Sequence, residues 1–222
     1  MDEGIGKLVD AIKKKGMYEN TVFIFLSDNG ATDEGGYIGQ LMSDLSNTPY
    51  RSYKKWVFQG GTSTPFILTY GDRKKNKMKG KICNQPAHII DVIPTCMALG
   101  NVSYPDNFSH NDLEGKNLLP ASEGKAIESR TLYFEHQSSC AIIDGSWKLV
   151  KANRDEQWEL IDLKTDPFET TDLSAQYPDK VEELESKWIE WANTHKVFPL
   201  ENKPWTERIN FYKAKNSNQT GK

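Results

Sequence analysis

Residues 5–12 place Ile5, Leu8, Val9 and Ile12 at helical spacing, lysines follow at 13–15, and Gly16 stands where such a helix would stop. Directly behind it, TVFIFL at 21–26 is apolar apart from its leading Thr, and PFILTY at 65–70 is a second run of that kind. Runs apolar at successive positions present both faces of the pleat to a core, so they predict strands of a parallel sheet covered on both sides. Between them, residues 31–61 are polar and Gly-containing, and that length predicts a functional loop more than a simple connection. AHIIDVIPTCMAL predicts a helix interrupted or begun near Pro94, and residues 100–130 predict loop.

The last third has a different texture. TLYFEH, CAIIDGSWKLV and QWELIDL are short β-type runs, the middle one folded about Asp144-Gly145 as a two-residue hairpin. Pro178 then opens a helix in which Val181, Leu184, Trp188 and Trp191 share a face that could cover an antiparallel sheet. The predicted fold class is α/β, with a helix-sandwiched sheet portion over 1–125, a small antiparallel β-sheet and helix subdomain over 126–200, and an extended tail over 201–222.

Composition narrows the function without naming it. The chain has 222 residues, 37% hydrophobic and 27% charged, with a formal net charge of -3. That balance carries no basic excess for nucleic acid, and no apolar run approaches the roughly 18 to 20 residues of a membrane span. Cys83, Cys96 and Cys140 are widely spaced and form no CxxC, which indicates neither a disulfide framework nor a zinc site.

The first chemical signal is Asp28-Asn29-Gly30 at the tip of a strand. Asn-Gly is a strong hairpin signal, but the following ATDEGGYIGQ offers no alternating strand to complete one. The other reading is a pair of hard oxygens offered to a divalent cation at a strand end, where open α/β sheets bind ligands. The second signal is YKKWVFQGG at 53–61, in which paired glycines allow close backbone approach and an upstream lysine supplies a compact positive charge for an oxyanion.

Taken in order, IGKLVDAIKKKGMYENTVFIFLSDNG, SNTPYRSYKKWVFQGGTSTPFI, HIIDVIPT, LEGKNLLP, LYFEH, GSWKLV and WELIDLKTDPFETTDL resemble the sulfatase family, of the arylsulfatase type, within the alkaline-phosphatase-like superfamily. The resemblance implies that Asp28 and Asn29 ligate calcium. It also implies that Lys54, five residues before the acidic position of the family's EGG element, contacts sulfate. Its neighbour Lys55 is not the matching residue. The implied reaction is hydrolysis of an aryl or carbohydrate sulfate ester by a formylglycine hydrate, with calcium and cationic side chains neutralising the sulfate oxygens. His136 falls in a segment that approaches the substrate pocket in some relatives; a strand-end histidine satisfying local hydrogen bonds is the other reading.

The chain also departs from the family. None of its cysteines is followed by x-P-x-R, and the closest look-alike, Asn47-Thr48-Pro49-Tyr50-Arg51, begins with asparagine. Gln59 replaces the usual glutamate, which alters the charge expected near Lys54, and Asp28 with Asn29 supply at most three of the roughly six to eight oxygens calcium takes. The chain therefore reads as the C-terminal part of a sulfatase, inactive alone, with an incomplete calcium site and with formylglycine in a preceding segment. Exposed apolar sheet would favour self-association. For a full-length parent the resemblance implies a periplasmic or secreted protein. The alternatives are a phosphodiesterase-type relative of the superfamily and a non-catalytic remnant or assembly module. His88 reads as structural and His110 and His195 as solvated, while Trp147, Trp158, Trp188 and Trp191 read as core of the small subdomain.

Overall fold

The structure, a computed structural model, describes residues 1–34, 37–72, 74–104 and 114–200. The expected tail over 201–222 and His110 lie outside the described residues. The chain forms two compact units, one of Met1–Asp28 with Thr64–Ser129 and one of Asn29–Ser63 with the chain from Arg130 onward.

In the first unit, helix α1 (Asp2–Lys14) carries Asp2 and Glu3 in its first turn and Lys13 and Lys14 in its last, charges that oppose the helix dipole favourably at both ends. Gly16 follows at φ +68°. The apolar face predicted for α1 is present but uncovered, with Ile5 and Leu8 exposed and no residue of the helix buried. Strand β1 (Val22–Leu26) pairs with β2 (Phe66–Tyr70) in an antiparallel register from Val22 opposite Tyr70 to Leu26 opposite Phe66. The parallel pairing expected for these strands is therefore incorrect. An apolar run reports how many faces are shielded and not the direction of the neighbour, and every residue of β1 is only half-buried.

Further along this unit, a 3-10 turn at Ile89–Asp91 leads into α4 (Val92–Gly100), with Pro94 in its first turn where a missing N–H costs nothing. His88 is structural: its Nδ1 accepts from the Ile90 N–H at 3.3 Å while Asp91 closes the reciprocal bond to the His88 N–H at 2.7 Å. Residues 100–130 contain one short helix, α5 (Leu119–Ser122), within the part described.

The second unit is built on a four-stranded antiparallel meander, β3 (Thr131–His136), β4 (Ser139–Asp144), β5 (Trp147–Lys151) and β6 (Glu159–Asp162). Asp144 pairs with Trp147, so the two loop residues of the β4–β5 hairpin are Gly145 and Ser146, one position later than predicted. Gln137 and Ser138 join β3 to β4 with φ of 51° and 68°, the two positive angles of a type I′ turn without its usual Asn-Gly.

Strand alternation divides the core in two. Cys140, Ile142, Leu149 and Leu160 face helix α6 (Pro178–Thr194), which buries Leu184, Trp188 and Ala192 against them as the spacing predicts. Trp147, Trp158 and Trp191 pack around this cluster, and the Trp188 indole N–H donates to the Phe134 carbonyl at 3.2 Å. On the opposite face, Ala141, Val150 and Ile161 pack on Val57 and Phe58. That contact fixes the YKKWVFQGG segment on the sheet. The stretch predicted as loop also contains helices α2 (Tyr37–Asn47) and α3 (Gln59–Thr62). Ile38, Leu41, Met42 and Leu45 keep the i, i+3, i+4, i+7 spacing of a helix.

Candidate functional site

The segment that carries Lys54 is shaped by three glycines meeting backbone. A Cβ on Gly60 would stand 2.0 Å from the Ser52 carbonyl oxygen, one on Gly61 would stand 1.9 Å from that of Trp56, and one on Gly30 would stand 1.8 Å from that of Gly60. The close approach expected of the paired glycines is thus made to the chain itself. Asn47 knits the same segment, with Nδ2 donating to the carbonyls of Ser52 at 3.0 Å and Gly60 at 2.9 Å. The look-alike of a nucleophile element is therefore a structural brace. Its Arg51 grips Glu159 through two bonds of 2.6 and 3.0 Å and lies over the Phe58 ring.

Above this brace the second unit holds a cleft of about 400 Å³. Asn29, Lys54 and His136 all line it, together with Lys55, Tyr133 and Glu135. Three of the four residues singled out in the sequence thus share one cleft. Asp28 precedes it in the chain as an exposed residue whose carboxylate forms no hydrogen bond or ion pair among the described residues. Asn29 is half-buried.

The Lys54 backbone N–H donates to the Ala31 carbonyl at 2.8 Å, which ties the lysine to the chain just after Gly30. Its ammonium stands 3.6 Å from Glu34, itself 77% exposed, a solvated pair of small strength that leaves the cation accessible. Lys55 takes a positive φ of 90° and its ammonium lies 4.7 Å over the Trp56 ring. His136 Nδ1 is 2.9 Å from the Lys55 carbonyl oxygen. A carbonyl only accepts, so Nδ1 carries the proton and Nε2 is left as the second functional nitrogen.

Beneath the cleft floor lies a constellation absent from the sequence reading. Lys148 of β5 has no exposed side-chain surface and donates to the Val57 carbonyl at 2.8 Å and to Gln59 Oε1 at 3.3 Å. Its ammonium meets Glu169, equally buried, at 2.7 Å, and Glu169 Oε2 accepts the Gln59 N–H at 2.6 Å. Burial pushes the Lys148 pKa down while Glu169 opposes that push. Gln59, expected to change charge near Lys54, instead engages Lys148. The missed signals were Lys148 at a strand position and Glu169 in a turn-rich run. Glu135 was also missed; its Oε1 accepts the Ser138 N–H at 2.8 Å. Trp191, read as core, packs on the α6 cluster and also borders the cleft, stacked on Tyr133 at 5.1 Å.

Among the described residues no three His, Cys, Asp or Glu side chains gather as a metal centre. No helix there is long and apolar enough to cross a membrane.

Comparison with known proteins bears on the family and the fold. The family model described as Sulfatase matches residues 1–102. The chain is 28% identical to an N-acetylgalactosamine-6-O-sulfatase of Bacteroides thetaiotaomicron, over 87% of this chain and 40% of that protein. It is 26% identical to the N-acetylgalactosamine-6-sulfatase of Mus musculus, over 75% of this chain and 30% of that one. In structure it superposes on Ps i-CgsB with a TM-score of 0.74 at 26% identity, covering 95% of this chain and 45% of that one. Ps i-CgsB has also been crystallised in complex with k-i-k-neocarrahexaose, and that form superposes with a TM-score of 0.72. The chain thus spans less than half the length of the relatives it matches. Sulfatase sequences and sulfatase structures of the alkaline-phosphatase-like fold align along most of its residues, and the family model covers its first 102, so the sulfatase family is the one this chain resembles.

Proposed function

We propose that this chain carries one share of the active site of a sulfuric ester hydrolase, and that the cleft of the second unit receives the sulfate group. The observation that supports this reading is the meeting of Asn29, Lys54 and His136, from a post-strand loop, a glycine-braced segment and a strand end, around one cavity. The sulfate group brings a negative charge into the cleft, and charge builds on the departing ester oxygen as the S–O bond breaks; a fixed ammonium in a partly desolvated cleft holds the anion and offsets that charge. Lys54 fills that role. His136, with its proton held on Nδ1 by the Lys55 carbonyl, turns Nε2 to the substrate.

The adjacent oxygens of Asp28 and Asn29 suit a hard divalent cation, and the uncommitted Asp28 carboxylate fits that use. Calcium held there would neutralise sulfate oxygens as a Lewis acid. Two side chains supply only part of its shell, so further ligands would be needed to complete it. The C/S-x-P-x-R nucleophile element does not occur in the 222 residues, so the chain alone is inactive and a formylglycine would be contributed from elsewhere. Uncovered apolar side chains, among them Leu8, Leu45 and Ile67, favour self-association of the isolated chain. The relatives named for N-acetylgalactosamine 6-sulfate, and the carbohydrate bound to Ps i-CgsB, favour a sulfated carbohydrate over a simple aryl ester.

Titrating the chain with inorganic sulfate and with phosphate, followed by backbone NMR, tests the site. Sulfate should shift the amides of Lys54, Lys55 and His136, and Lys54→Ala should abolish the response. In an enzyme with a complete site the same change should slow turnover by roughly a hundredfold to a thousandfold. No shift at those residues overturns the reading, stronger binding of phosphate favours a phosphodiesterase-type relative, and turnover of p-nitrophenyl sulfate by the isolated chain refutes its inactivity.

A further inference from the structure

The chain is acidic overall, at a formal net charge of -3, yet residues 74–81 read KKNKMKGK. In the first unit this segment follows β2 as a strap whose side chains divide by direction. Asn76 turns inward: its Oδ1 accepts the Tyr70 N–H at 2.9 Å and its Nδ2 donates to the Tyr70 carbonyl at 2.7 Å, so it closes the end of β2. Met78 is also half-buried, with its sulfur in the neighbourhood of Gly124. Lys74, Lys75, Lys77, Lys79 and Lys81 are all exposed. Turn bonds such as Lys79 N–H to Asn76 O at 3.2 Å and Lys81 N–H to Met78 O at 2.9 Å give the strap a defined path.

These ammonium groups are scarcely neutralised. Glu123 stands 3.8 Å from Lys77 but only 2.6 Å from Lys125, which holds it more tightly. Lys74, Lys75, Lys79 and Lys81 make no ion pair among the described residues. Like charges placed close together repel one another and weaken the local fold, so the inward anchors Asn76 and Met78 hold the strap against that repulsion.

We propose that the 74–81 strap is a docking surface for a sulfated polysaccharide, separate from the cleft that receives the reacting sulfate. Lysines on the outer side of a narrow strip match a linear polyanion carrying repeated sulfates, whose condensed counterions are released on contact. A duplex or a membrane presents a broad anionic surface, wider than a single strip of lysines. The proposal rests on the sulfatase reading for the identity of the polymer.

The test is binding of the full chain to chondroitin 6-sulfate at about 50 mM salt, with hyaluronan, phosphatidylserine vesicles and duplex DNA as competitors. The strap variant is Lys75→Gln, Lys77→Gln, Lys79→Gln and Lys81→Gln together, and Lys164→Gln with Lys196→Gln, exposed lysines that do not line the cleft, is the control. The strap variant should bind chondroitin 6-sulfate about tenfold more weakly and with a flatter salt dependence, while the control pair stays within about twofold of the parent. Thermal melts verify the fold, and Lys79→Gln with Lys81→Gln replaces the full set if that set does not fold. Strap-variant binding within twofold of the parent overturns the proposal, as does tighter binding of vesicles, DNA or unsulfated hyaluronan. If Lys54→Gln leaves inorganic sulfate binding intact, the cleft reading fails while the strap result stands by itself.

Discussion

Lys148 and Glu169 meet at 2.7 Å with neither side chain exposed, and together they hold the backbone at Val57 and Gln59 that supports the cleft. Two desolvated charges tolerate each other only as a pair. Lys148→Met alone should lower stability by about 3–5 kcal/mol because Glu169 is left buried and unpaired. Adding Glu169→Leu should recover much of that loss. Urea unfolding of the parent, the two single variants and the double variant checks it; a double variant no more stable than the worse single would contradict the pairing.

Gly60→Ala should be among the more damaging small substitutions. Its Cβ would stand 2.0 Å from the Ser52 oxygen and 2.5 Å from that of Arg51, both backbone atoms that cannot rotate away. We expect a loss of roughly 1–3 kcal/mol and displacement of the Lys54 segment. Gly4→Ala, in α1 with nothing within 4 Å of the added carbon, is the contrast and should stabilise that helix by about 0.5–1 kcal/mol. Thermal melts of both variants decide the comparison.

Thiol labelling should separate the three cysteines. Cys83 and Cys96 are exposed, whereas Cys140 is buried in β4 and desolvation pushes its pKa up to about 12, so its thiolate is scarce at neutral pH. Iodoacetamide at pH 8 should modify the first two in the native chain and spare Cys140 until denaturant is added. Mass spectrometry of the digested protein reads the result, and rapid native labelling of Cys140 would refute the burial.

Acid should loosen the outer side of α6 at an unusually low pH. Lys180 and Lys187 donate to Glu183 at 2.6 and 2.7 Å, and these hydrogen bonds hold the carboxyl down at about 2 from an ordinary 4.5. A lowered folded-state pKa gives a contribution fully present above the unfolded value and lost as pH falls from about 4.5 through about 2. An NMR titration of the Glu183 carboxyl carbon should show its midpoint near the lower value in the parent. Replacing both lysines by Met should return it toward the ordinary one.

Local pattern made much of this molecule legible. The α6 face of Val181, Leu184, Trp188 and Trp191 and the short strands of the meander follow from spacing alone, since a helix repeats near 3.6 residues and a strand near 2. Helix α2 was equally periodic at Ile38, Leu41, Met42 and Leu45, but the glycines and charges around it predicted loop. The β3–β4 turn carries no Asn-Gly, so its two positive φ angles left no trace in composition.

Pairing direction and the company a residue keeps are matters of contacts distant in the chain. The apolar character of β1 and β2 was encoded by their own residues, but their antiparallel register depends on how the chain returns. Likewise Asn29, Lys54 and His136 could be named from sequence as separate candidates, with a resemblance to connect them. Their meeting in one cleft depends on Val57 and Phe58 covering the second face of the meander and on Lys148 and Glu169 anchoring that segment from beneath. Sequence determined which elements form, because periodicity and turn chemistry act between near neighbours. Tertiary structure decided which side chains share a site, because burial and buried charge pairing join residues that no local rule relates.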